Sequence, residues 1–185
     1  MKKLIIAAAI VCAAALSQAA SVQWTCTNVY NGKGDDSAKV SGVAYLMMAS
    51  DVADFTTLAG KGATAVNSAL ANALANYTPT TAGAYGLTKT NAELGLQDSK
   101  SYGDAYLVIF DTATVTDASK FYVTAVKALE TLEGDNVYKM QFASQATNSK
   151  LATNWNAVAA AVPEPTSGLL LLLGMAGLAL RRRRA

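Results

Sequence analysis

The chain has 185 residues, a length that suggests one domain with appendages. Lys2 and Lys3 lie at one end and Arg181, Arg182, Arg183 and Arg184 at the other, so residues 20–162 hold nine lysines, no arginine and twelve acids, a formal charge of −3. That stretch lacks the arginine-bearing cationic face of a nucleic-acid binder, and the absence of any histidine removes His-activated nucleophiles, His general bases and most zinc and copper sites.

In chain order, Lys2 and Lys3 are followed by thirteen apolar residues, Leu4–Leu16, and then by small residues at Ser17 and Ala19. This is the pattern of a secretory signal peptide, residues 1–19, exported through the Sec translocon and cut by signal peptidase between Ala19 and Ala20. Cys12 sits within the apolar run behind Ala9-Ile10-Val11, which makes a poor lipidation site. Removal of the leader leaves Cys26 alone, so the exported domain has no internal disulfide and must hold by its core. Within VQWTCTNVY the cysteine reads as a small buried hydrophobe.

Strand character recurs in Ser21–Val29, Lys39–Met48, Ala105–Phe110 and Val137–Phe142. AYLVIF is apolar on both faces, as a central strand is. In VYKMQF, Tyr138, Met140 and Phe142 alternate with Lys139 and Gln141 and point inward. The stretch Lys120–Leu129 carries Phe, Tyr, Val and Thr in succession and reads as a strand, although Asp117 offers a helix cap before it. One helix is expected over Ala63–Tyr77, where Val66, Leu70, Ala73, Leu74 and Tyr77 recur at helical spacing and Pro79 follows. Asn31–Ser37 and Thr78–Gly86 read as turns or loops. The expected fold is mainly β: a small antiparallel sheet or sandwich with one helical insertion over 20–149, then an Ala/Asn-rich linker over 150–162. A signal helix precedes it and a short transmembrane helix follows.

No G-x-S-x-G, Walker or dinucleotide motif occurs. Asp35 and Asp36 beside Gly32 and Gly34 lack the spacing and terminal Glu of a calcium loop and read as a solvated turn. A carboxylate pair for glycoside hydrolysis would have to come from Asp51, Asp54, Asp104 or Asp111, a coincidence that any acidic surface offers. Trp24, Tyr45, Tyr106 and Trp155 are candidates for a sugar-stacking platform, and an exposed aromatic row on one sheet face would mark it. At alternating strand positions such residues are more often core. Asn76-Tyr77-Thr78 is a sequon followed by Pro79. No enzyme, metal site or cofactor is expected.

The chain closes with Pro163-Glu164-Pro165, the apolar run Gly168–Leu180 and the four arginines. As a helix the thirteen-residue run spans about 20 Å, against a hydrocarbon core of about 30 Å. Seven leucines favour insertion, three glycines weaken it, and arginines after an apolar run stay cytoplasmic. The two prolines stop any helix from extending back into the domain. This three-part array, in order and at the chain end, resembles the PEP-CTERM sorting signal. The resemblance covers the tail over 163–185, with its transmembrane run at 168–180 and basic tip at 181–184, and leaves the rest unassigned. It implies processing by an exosortase, a membrane-embedded cysteine transpeptidase-like protease of some Gram-negative bacteria. It further implies a precursor tethered transiently in the inner membrane, a mature form at the cell surface or outside the cell, and association with exopolysaccharide. The nucleophile belongs to the processing enzyme, so no catalytic residue carries over.

Overall fold

The computed structural model describes residues 19–34, 38–142 and 147–160. Strand β1, Ser21–Thr27, buries Val22, Trp24 and Cys26 and turns the alternate side chains outward, the period-2 pattern of a half-buried strand. It is the middle of a three-stranded sheet, between β4 (Ala84–Thr90), which runs antiparallel to it, and β8 (Val137–Gln141), which runs parallel. The expectation of a purely antiparallel fold is therefore corrected at β1–β8. A parallel pair needs a long crossover, and here five of the six strands of the second sheet are built between its two members, with only β9 following β8.

That second sheet contains β2 (Ala44–Met48), β3 (Ala75–Tyr77), β5 (Ser101–Phe110), β6 (Lys120–Val123), β7 (Lys127–Glu130) and β9 (Trp155–Ala157). Its order is β3-β2-β5-β6-β9, and β7 joins the same side of β5 as β6. Strand β6 pairs with Val108–Phe110 and β7 with Ser101–Ala105. Where one strand was expected over 120–129 there are two, because the chain steps out of register at Thr124. Its N–H donates to the Leu107 carbonyl at 3.0 Å, and its hydroxyl accepts the Leu107 N–H at 2.9 Å. A side chain thus closes the ladder where the backbone leaves it.

The large sheet is a middle layer. Ala105, Leu107 and Ile109 join Ala44, Leu46, Trp24, Met140 and Phe142 in the core between the sheets. Tyr106, Val108 and Phe110 face the other way, against two short helices, α1 (Phe55–Ala59) and α2 (Ala63–Leu70), which bury Phe55, Ala59, Val66 and Leu70. This double burial explains why AYLVIF carries no polar alternation.

The helix expected over 63–77 ends at Leu70. Ala73 N–H bonds back to the Leu70 carbonyl, Leu74 N–H crosses to Leu46, and Ala75–Tyr77 pairs antiparallel with Ala44–Leu46 as an edge strand. Leu74 and Tyr77 pack instead on the core between the sheets. Helix α1, which the sequence reading did not foresee, starts at Asp54, whose carboxylate accepts the N–H groups of Thr56 and Thr57. Of Lys39–Met48 only 44–48 is regular strand, with Lys39 bridged singly to Tyr30. The loop expected at 78–86 gives way to β4 from Ala84 onward.

The segment read as a linker is described as far as residue 160, and there it belongs to the fold. Two 3-10 turns, Thr147–Lys150 and Ala152–Asn154, lead into β9, which pairs with β6. Buried Ser149 accepts the Tyr30 N–H at its hydroxyl and the Trp155 indole N–H at its carbonyl. Val158 is 2% exposed and closes the helix-side core. Alanine and asparagine content alone therefore misread this stretch, whose apolar residues Trp155 and Val158 are buried or half-buried.

Candidate functional site

The tail residues expected to carry sorting, Pro163, Glu164 and Pro165, the run 168–180 and Arg181–Arg184, lie outside the described residues, as does the expected signal peptide up to residue 18. What the structure supplies is the point from which the tail departs. Val158 N–H donates to the Ser119 carbonyl at 2.9 Å and Ala159 N–H to the Ala59 carbonyl at 3.0 Å, so the chain is fastened to the domain up to Ala159. Pro163 is four residues further on, at most about 14 Å away even when fully extended. At the other end Ala19 is exposed and Ala20 is 3% exposed at the start of β1. No helix among the described residues is long and apolar enough to cross a membrane.

The aromatic candidates do not form a row. Trp24 is buried between the sheets, its ring edge-on to Tyr77 with centroids 6.1 Å apart and its indole N–H without a partner. Trp155 is half-buried at the rim, held by Ser149 and tilted against Tyr122. Tyr45 and Tyr106 belong to the opposite, helix-side layer. The Tyr106 hydroxyl donates to the Val52 carbonyl at 2.6 Å, and burial, aided by the negative charges of Asp54 and Asp51, pushes it up to about 12.

The four candidate carboxylates, Asp51, Asp54, Asp104 and Asp111, are all exposed, and two of them, Asp54 and Asp111, hold main-chain N–H groups. Asp54 caps α1, and its hydrogen bonds from the Thr57 side chain and backbone hold its carboxyl below the usual range. Asp111 accepts the Lys120 N–H at 2.8 Å where β5 turns into β6, at the far end of β5 from Asp104. Asp35 and Asp36 lie outside the described residues. No cluster of three or more acids, cysteines or histidines suited to a metal occurs among the described residues. Asn76 is exposed on the edge strand β3.

Cys26 is fully buried, its thiol donating weakly to the Phe142 carbonyl at 3.7 Å, and burial pushes it up to about 12. It is the inert packing residue expected from its strand context. Among the described residues, one shallow groove of about 360 Å³ is lined by Tyr122, Asn148, Thr153, Asn154 and Asn156; another, about 280 Å³, lies between Lys33, Lys120 and Trp155. Neither brings a nucleophile together with a base.

Among known proteins, residues 161–184 match the family model of the PEP-CTERM protein-sorting motif. No curated protein and no solved structure matches the chain. The matched motif marks an exported protein that is sorted via the membrane by an exosortase. The motif match contains the tripeptide, the apolar run and the arginines in the order read from the sequence.

Proposed function

We propose that the exosortase-sorted chain is a non-enzymatic protein of the cell surface or extracellular matrix of a Gram-negative-type bacterium, associated there with exopolysaccharide. The observation that carries this reading is the sorting motif at 161–184, joined almost directly to a folded domain that is fastened as far as Ala159. The short reach to Pro163 leaves no space for a further folded unit, so the domain itself is the cargo. Its tightly packed aromatic residues, and the use of Asp54 and Asp111 as main-chain acceptors, support a structural role over a catalytic one.

The decisive experiment changes Pro163, Glu164 and Pro165 together to alanine in an exosortase-bearing host. Full-length protein should then accumulate in the membrane fraction, while the parent chain is shortened and leaves it. If immunoblots show the same size and location for both, the sorting role is wrong. The polysaccharide part has its own test, co-sedimentation of processed protein with the host's purified exopolysaccharide. Protein that stays in the supernatant removes that part alone.

A further inference from the structure

The β1–β4 ladder pairs Ser21 with Thr90, and one residue further Asn91 N–H donates to the Ala20 carbonyl at 2.8 Å. Ala20 therefore stands opposite Asn91 and is buried, whereas Ala19 is exposed. The boundary between solvent and fold falls at the bond where the sequence places signal cleavage. Asn91 is 2% exposed. Its amide nitrogen donates to Asp98 Oδ1 at 2.6 Å and to the Leu132 carbonyl at 3.0 Å, and its main-chain carbonyl accepts the N–H groups of Leu94 and Leu96. Its side-chain oxygen has no partner. A buried acceptor left unpaired is rare and calls for a donor.

We infer that this donor is the amino terminus that processing creates. The structure assigns to Asn91 and Asp98 a seat for the Ala20 α-ammonium: the orphaned Asn91 oxygen accepts one of its protons, and the Asp98 carboxylate, held by the same side chain, offsets its charge. The inference rests on cleavage between Ala19 and Ala20. A peptide N–H at Ala20 offers one proton and no charge; a free ammonium offers three protons and a positive charge, and hydrogen bonds to ionised groups are the stronger kind. Ser21 N–H, bonded to the Asn136 carbonyl at 3.0 Å, fixes the next residue and limits where the terminus can sit. Because Ala20 is laid into the ladder while Ala19 is exposed, the cut end becomes part of the rim.

The test uses processed protein purified from the exporting host. N-terminal sequencing comes first: a first residue other than Ala20 overturns the cleavage reading, and the seat with it. With Ala20 confirmed, the α-amine is acetylated near neutral pH, where it reacts ahead of the lysines, and its rate is compared in the native and the urea-unfolded chain. The native amine should react at least about tenfold more slowly, and Asp98→Asn, a change at an exposed residue, should recover much of that loss. Equal rates in native and unfolded protein overturn the seat. A second variant with Ser-Gly inserted before Ala20, so that the mature chain starts two residues earlier, should melt several degrees lower than the parent. The same insertion in the Asp98→Asn background should cost less. An unchanged midpoint also overturns the proposal.

Discussion

The indole of Trp155 lies against the backbone of Gly32, so close that a Cβ built on the glycine would come within 2.6 Å of the ring's Cδ1. Gly32 also has φ of +76°, in the left-handed region. The turn after β1 and the strand that ends the domain are therefore joined by a contact only glycine permits. Gly32→Ala should cost roughly 2–4 kcal/mol, from backbone strain together with overpacking. Gly34 has φ of +83°, but a Cβ built on it meets no described atom within 4 Å, so Gly34→Ala should cost only about 1–2 kcal/mol. Chemical denaturation of the two variants checks the difference; equal losses would mean that the Trp155 contact does not constrain the fold.

Thr124 spans the break between β6 and β7 by holding both main-chain groups of Leu107. Thr124→Val keeps the shape and leaves the buried Leu107 N–H without an acceptor. A loss of about 1–3 kcal/mol is expected, read as a lower urea midpoint with an unchanged slope. A shift within about 0.5 kcal/mol, the range of ordinary surface changes, would show that water or a backbone shift replaces the hydroxyl.

Alkali should weaken the fold. Burial raises Cys26, Tyr106 and Tyr122 to about 12 and pushes Tyr85 up as well, the last helped by the Cys26 charge. In the unfolded chain these groups ionise at about 9 to 10. Their folded pKa values lie above the unfolded ones, so the stability they hold is intact below about pH 9 and is lost as pH rises toward 12. Urea midpoints should be level from pH 7 to about 9 and then fall steeply. A flat profile to pH 11 would contradict the burial of these groups.

The arginines and the tripeptide should fail differently. Glutamine at Arg181–Arg184 removes charges that cost about 2.5–3.5 kcal/mol each at the bilayer centre on insertion scales. The run of thirteen residues, short for a bilayer, then has little to stop it, and uncut protein should reach the medium. Fractionation followed by immunoblotting distinguishes this from the membrane build-up expected when the tripeptide is lost. Retention of the glutamine variant would mean that the apolar run alone holds the tail.

What could be read from the sequence follows from the range of each signal. Strands β1, β5 and β8 are legible because their burial alternates, or fails to alternate, over five or more residues, and Met140, Phe142 and Lys139 lie on the sides expected. The helix at 63–70 was legible but its end was not, since Ala73, Leu74 and Tyr77 suit a helix face as well as a sheet core and only the Leu46 partner decides. Strand β4 was hidden because its first residues, Ala84–Gly86, continue the Pro- and Gly-marked stretch 78–86 that reads as loop, and only pairing with β1 shows it as strand. The parallel β1–β8 pair joins residues more than a hundred apart, beyond any local pattern. The sorting tail was legible because its three parts are contiguous. The seat at Asn91 was not, because it joins Ala20, Asp98 and Leu132 from three separate segments.

The two ends of the domain differ mechanically. The amino-terminal strand β1 is flanked on both sides, whereas β9 is a three-residue edge strand whose ladder partner among the described strands is β6. Any load applied at the carboxyl end, by a membrane tether or by whatever the processed end is joined to, enters first through the Val158–Ser119 and Ala159–Ala59 hydrogen bonds and then through that short edge. Tension should peel β9 away and free Trp155 while the two-sheet core stays closed. The domain would thus lengthen by a short, reversible step before it unfolds, as a mechanical fuse does.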